Sequence, residues 1–441
     1  MINRLHKTLG FYEPSLFRIH TIGDGKIKKY QEWSNDEQSC TFLHEYIHFL
    51  QDITSIKGLQ NIYTNGEYLR YVSLVAKQSQ NKTIHLPLDP TKASYNVDQN
   101  WILHKETLGN NDTNIQSLIK YNIINKCNIT DTNTKSTIKL EIVELECLDY
   151  YFNKVKIPFG TIQIMECMAK AIEECAYPNL SGRSPYNPYY IARDLAEMIL
   201  PGIKTEVLTL IALYDRALQS SNPGLSFVNY LKDIKRKGYN SKTLTPDIIY
   251  KELIASQSTN PITNTLAFKD GFNNIATLAT GVINDLTGGI WILGNVTCWA
   301  STIIKKGISF RFNYPNIFID IARGGKIQDN KTFQEIIKFL GTPLVTNGKE
   351  QSGFIRPPKM IISKSELVNV YAMMQLYSVF MSNSHYKCPL KWYCNNLNMR
   401  WLLGPRINAK CDSQPWTKCR FRRCKFVQWW RFKGFKNIRL L

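Results

Sequence analysis

Apolar side chains recur at intervals of three or four from Leu43 through Ile47 and Leu50 to Ile53, which predicts a helix from about Asn35 to about Ser55. Ser34-Asn35-Asp36-Glu37 ahead of it has the spacing of a capping box, with Ser34 accepting from the Glu37 N–H. A second helix is predicted from about Gly66 to Gln78. Upstream, Phe17 to Ile22 and Lys26 to Tyr30 flank Gly23-Asp24-Gly25 and read as a β-hairpin. Residues 79–136 are rich in Asn, Thr, Asp and Ser and read as an insertion of loops and short elements. Ile138 to Ile142 alternates like a strand. Helical patterns resume at 161–175, 189–200 and 203–218, with Pro201-Gly202 as a break. The region 262–340 mixes helical pattern with Gly-Gly interruptions.

These elements predict an α+β fold, mostly helical, with a small N-terminal β-sheet. Three regions are expected: a catalytic region at 1–220 carrying the polar insertion at 79–136, a helical region at 221–384, and a basic, cysteine-rich module at 385–441. A chain of 441 residues with 44% hydrophobic and 20% charged residues has the composition of a globular protein, which excludes disorder throughout. No uninterrupted run of about 18 apolar residues suggests a membrane span. The first residues lead into no long apolar stretch, so a secretory signal is not expected and the cytosol is. Eleven cysteines then read as reduced thiols or metal ligands.

The segment with the clearest chemistry is His44-Glu45-Tyr46-Ile47-His48, H-E-x-x-H on the first helix. Positions i and i+4 share a helix face, so two imidazoles can bind one tetrahedral Zn²⁺. Glu45, one residue on from the first ligand, is placed to act as general base. A third ligand must come from elsewhere. Glu166 lies among Ile162 and Ala169 on an apolar helical pattern, and a carboxylate turned inward there needs a metal or a basic partner. Glu173, two turns on along the same face, is a candidate support. Glu174 reads as exposed, and Glu141, Glu144 and Glu146 are weaker candidates on the strand.

On these residues the chain resembles zinc metallopeptidases of the zincin group, and within it the gluzincin type. Glu166-x-x-Ala169 is similar to the E-x-x-A pattern around the third ligand there. The resemblance implies His44, His48 and Glu166 as zinc ligands, Glu45 as the catalytic base, and a hairpin whose sheet edge lines the substrate cleft. It covers nine residues. Lys170 stands where thermolysin-like enzymes carry an Asp that orients a histidine. No H-x-x-G-x-x-H extension follows His48, which excludes the metzincin type. The oxyanion donor is open among Tyr, His and Arg, with His385 one choice.

The formal net charge is +20, and 13 of it falls in residues 385–441, which hold seven Lys, seven Arg and one Asp. Five cysteines crowd there: Cys388, Cys394, Cys411, Cys419 and Cys424. They lack the close C-x2-C pairs of common zinc modules, so both a second metal cluster and buried thiols are open. Cations interleaved with aromatics from Arg420 to Phe432 suit nucleic acid, an anionic membrane surface, or a docked β-segment with a charged outer face. The expectation is a zinc-dependent metallopeptidase acting on a protein or peptide. The alternatives are a nucleic-acid-associated protein with an inactive zincin-like body and a zinc hydrolase of a non-peptide bond.

Overall fold

The structure, a computed structural model, describes residues 10–440 except 16–17, 79–82, 90–94, 131–136, 181–183, 256, 261–262, 289, 291–292, 382–385, 399–408, 418–423 and 436–437. The fold is mixed α+β and mostly helical, with a small N-terminal sheet. At its centre lies the helix Asp36–Thr54, buried on every side from Gln38 onward. It packs against the helices Ile56–Gln78, Thr161–Ala176 and Val296–Asn313 and against the N-terminal strands. Its cap is one residue further on than the sequence suggests: Asn35, not Ser34, accepts from the backbone N–H of Gln38 at 3.0 Å. The second helix begins at Ile56, nearly three turns before Gly66.

Such a helix needs close neighbours. Gly307 in Val296–Asn313 faces the Ile53 carbonyl so closely that a β-carbon would collide with it. From the same helix, buried Arg311 donates from Nε to the Thr54 carbonyl at 2.9 Å and from Nη1 to Asp215 Oδ2 at 2.7 Å. Its Nη2 completes the fork to Asp215 Oδ1. Tyr250 also donates to Asp215, at 2.9 Å. The buried charges are therefore paired and hydrogen-bonded, as burial requires.

The predicted hairpin is corrected. The strand Arg18–Thr21 pairs antiparallel with Gly10–Glu13, while Ile27–Glu32 is a 3-10 helix. Gly23 takes a positive φ of 79° and the Gln38 side chain binds Gly25 through both its amide groups, which turns the chain away from its strand. Ile27 and Tyr30 then bury at a spacing of three, which suits a 3-10 turn. The other neighbour of Arg18–Thr21 is the parallel strand Leu344–Thr346, which pairs in turn with Ser352–Gly353. Gly10–Glu13 is thus an edge of this four-stranded sheet.

The polar stretch at 79–136 is likewise not mainly loop. It contains the helix Tyr95–Thr107 and the long strand Ile115–Thr130, which pairs with Thr137–Asp149. Lys154–Phe159 completes this three-stranded antiparallel sheet. Register shifts at three places in the first pair break the alternation of inward and outward side chains, which hides the strand from a period-two reading. One buried apolar cluster runs from Tyr12 to Ile438 through all three expected regions. The C-terminal segment is tied to it by Phe380, whose ring lies 5.6 Å from Trp430 and 5.1 Å from Phe435. Lys425–Phe432 is a helix, not a β-segment, because Phe426, Val427 and Trp430 recur at helical spacing and bury together. Among the described residues no helix is long and apolar enough to cross a membrane.

Candidate metal centre

The central helix carries a polar stripe of Thr41, His44, Glu45, His48, Gln51 and Asp52, all buried. A polar stripe on a fully buried helix must find partners, and the helix Thr161–Ala176 supplies most of them. Glu166 Oε2 lies 3.1 Å from His44 Nε2 and 3.5 Å from His48 Nε2, and the two Nε2 atoms are 3.2 Å apart. The other ring nitrogens are engaged elsewhere. His44 Nδ1 is 2.9 Å from Glu173 Oε2, and His48 Nδ1 is 2.8 Å from Gln51 Oε1. Each of those oxygens is an acceptor, so each Nδ1 donates and each Nε2 turns its lone pair inward. Gln51 cannot reverse its amide without losing the bond from its Nε2 to the Met165 carbonyl at 3.1 Å.

Three lone pairs therefore point at one another with no donor between them. Such an arrangement is repulsive unless a cation or a proton occupies the centre. Among the described residues, His44, His48 and Glu166 are the group whose ligand atoms lie close enough together to hold a metal ion. The electrostatics agree. Burial pulls the His44 imidazole down, but the bonds to Glu166 and Glu173 overcome it and raise its pKa to about 10. Burial also opposes a charge on Glu166, yet facing His48 and His44 hold its carboxyl well below the usual range. The cluster is built to hold positive charge.

Glu173 bridges the cluster to Lys170. Its Oε1 lies 2.6 Å from Lys170 Nζ, a buried cation that offsets the second carboxylate. Glu45 sits on the more open side. His44 and Glu45 keep 7% and 5% exposure, whereas His48 and Glu166 keep 0% and 1%. Burial pushes the Glu45 carboxyl up to about 7, against the pull of His44 and His48, and its Oε2 is buried with no hydrogen-bond partner. The edge strand runs past this side: a β-carbon on Gly10 would strike Thr41 and reach the Glu45 side chain, so only glycine lets the strand approach. Asp52 anchors that strand by accepting from the Tyr12 hydroxyl at 2.8 Å and the Ser15 N–H at 2.6 Å.

Other expected residues lie apart. Glu144 pairs with Lys156 at 2.8 Å, Glu146 pairs with Lys120 at 3.2 Å and Lys154 at 3.5 Å, and Glu141 is exposed. Glu174 accepts from the Tyr190 hydroxyl at 2.9 Å. His385 and Cys419 fall outside the described residues. Gln51, Asp52 and Tyr189 were not singled out by sequence, and Lys170 was named there only as a departure from the thermolysin-like pattern. Gln51 and Lys170 had a signal, lying three residues after His48 and three before Glu173. Tyr189, whose ring is 5.9 Å from that of His44, had none. No protein-family model matches the chain, and comparison with curated proteins and with solved structures gives no match.

Proposed function

We propose that the protein is a zinc-dependent metallopeptidase with its centre at His44, His48 and Glu166. The observation that carries this reading is the convergence of three ligand atoms 3.1, 3.2 and 3.5 Å apart. Tetrahedral donors about 2.05 Å from a zinc ion stand roughly 3.4 Å apart, so the donor set fits in spacing and in type. The His44–Glu173 bond supports it further, since ligating imidazoles commonly donate their other N–H to a carboxylate. Bound zinc would supply a Lewis acid that lowers the pKa of water and polarises a carbonyl.

The chain's own residues would do the rest. Glu45, with a pKa of about 7, can take a proton from the attacking water at Oε2 and return it to the leaving amine. The edge strand Gly10–Glu13 offers backbone groups along which an extended peptide can align beside Glu45. The Tyr189 phenol, kept protonated by burial, is the donor suited to the developing oxyanion. Incubation with a peptide library and mass spectrometry of the products tests this reading. Cleavage by the wild-type chain, lost in Glu45→Gln and after chelation, is expected. Glu45-dependent turnover of an ester or amide with no cleaved peptide would instead favour a non-peptide hydrolase.

A further inference from the structure

Away from the histidines, the surface carries a groove of about 930 Å³ between three segments of chain: the 3-10 helix Ile27–Glu32, the helix Lys331–Leu340 and the stretch 354–356. Its floor is apolar, built from the buried side chains of Tyr30, Ile337 and Phe354. The Tyr30 ring packs 6.2 Å from that of Phe42 and 6.5 Å from that of Phe333. Phe42 stands two residues before His44, about 200° around the central helix. The groove therefore backs on the face of that helix opposite the histidines, and it shares no lining residue with the metal centre. Its rim is cationic. Lys28, Lys331, Lys338 and Arg356 line it, all exposed, against one carboxylate, that of Glu335. Cations on the flanking segments are paired: Lys29 with Glu32 at 2.7 Å, Lys326 with Asp36 at 2.6 Å and Lys349 with Asp24 at 2.7 Å. Among the described residues the four groove cations have no such partner.

We propose that this groove binds an acidic segment of a partner protein, an extended stretch carrying several Asp or Glu side chains. The inference stands apart from the peptidase reading and needs none of its residues. A groove lined by one sign of charge concentrates its field on a ligand of the other sign. The spread of the cations selects the kind of anion. Lys331 and Lys338 lie on one helix face two turns apart, about 10 Å along the axis, while Lys28 and Arg356 stand on the other two segments. Charges so separated cannot meet on a single phosphate or carboxylate group. They suit a chain with anions at intervals, and the Arg356 guanidinium can take one carboxylate by two parallel hydrogen bonds. Single-stranded nucleic acid also carries anions at intervals, but its bases need open ring faces to stack on. The two rings of the groove, Tyr30 and Phe354, keep only 7% and 8% exposure and lie in its floor. That floor suits the small apolar side chains of a peptide instead.

The test uses the full chain and a fluorescein-labelled peptide of Glu and Ala, with binding read by anisotropy. The same peptide with Gln in place of Glu is its neutral counterpart. Lys331→Glu together with Lys338→Glu is expected to weaken binding of the Glu peptide by at least about tenfold. Lys235→Glu together with Lys242→Glu makes the same change of charge at exposed positions outside the groove and is expected to weaken it less than about twofold. Unchanged circular dichroism in both variants separates loss of the groove charge from loss of the fold. No binding of the Glu peptide, or equal weakening in the two variants, would overturn the proposal, the second by showing attraction to net charge alone. Equal binding of the Gln peptide would overturn it too. So would a labelled single-stranded oligonucleotide that binds more tightly than the peptide and loses its affinity with Lys331 and Lys338, since the groove would then be a nucleic-acid site.

Discussion

His44 Nδ1 lies 2.9 Å from the carboxylate of Glu173 while its Nε2 faces Glu166 seven residues earlier on the same helix. One helix thus holds both nitrogens of one imidazole, with Glu173 fixing which of them is left to bind a cation. Glu173→Gln keeps an acceptor but removes the charge, and Glu173→Ala removes both. Zinc affinity is expected to fall by roughly 10–100-fold in the alanine variant and by less in the glutamine one. Competition with a chromophoric chelator reads this, and equal affinity in all three chains would show that Glu173 does not support the ligand.

The same relationship sets a pH dependence. His44 must lose its proton to bind metal, and its pKa in the metal-free protein is about 10. Zinc affinity should therefore rise about tenfold per pH unit through the neutral range. The metal-free protein moves the other way. The raised pKa of His44 contributes stability that is fully present below its ordinary 6.5 and is lost as pH rises through about 10. Glu45, raised from 4.5 to about 7, is favoured in its neutral form and loses its contribution over that interval. The thermal shift produced by zinc should thus widen from pH 6 to pH 9, and a shift that stays constant would contradict the assignment.

Tyr189→Phe tests the oxyanion donor separately from the metal. Zinc content should be unchanged while kcat falls by roughly 10²–10³-fold with little change in KM. A rise in KM at unchanged kcat would make Tyr189 a residue that binds substrate and no more.

The position of the central helix rests on the Asp215–Arg311 pair, which also holds the Thr54 carbonyl. Asp215→Ala leaves a buried guanidinium without its counter-charge and should cost about 3–5 kcal/mol in denaturant unfolding. A loss below about 1 kcal/mol would mean that the pair is not needed to seat the helix.

The grouping of His44, His48 and Glu166 was legible in sequence because each of the three carries a local signature. The i, i+4 spacing of His44 and His48 fixes a shared face, and Glu166 is conspicuous as a charge on an apolar helical pattern. What sequence could not supply was contact between distant parts of the chain. The pairing of Arg18–Thr21 with Leu344–Thr346, more than 300 residues apart, leaves no local trace. Bulges concealed the strand Ile115–Thr130. In the tail, the interleaved pattern does not reveal that Phe426, Trp429 and Trp430 turn into the core while Phe432 stays exposed.

The most direct test is the zinc content of the purified full chain beside His48→Ala and Glu166→Ala variants that remain folded by circular dichroism. Each variant is expected to hold one zinc fewer than the wild type. Equal zinc in all three, or none in a folded wild-type chain prepared without chelators, would contradict the metal centre and the peptidase built on it.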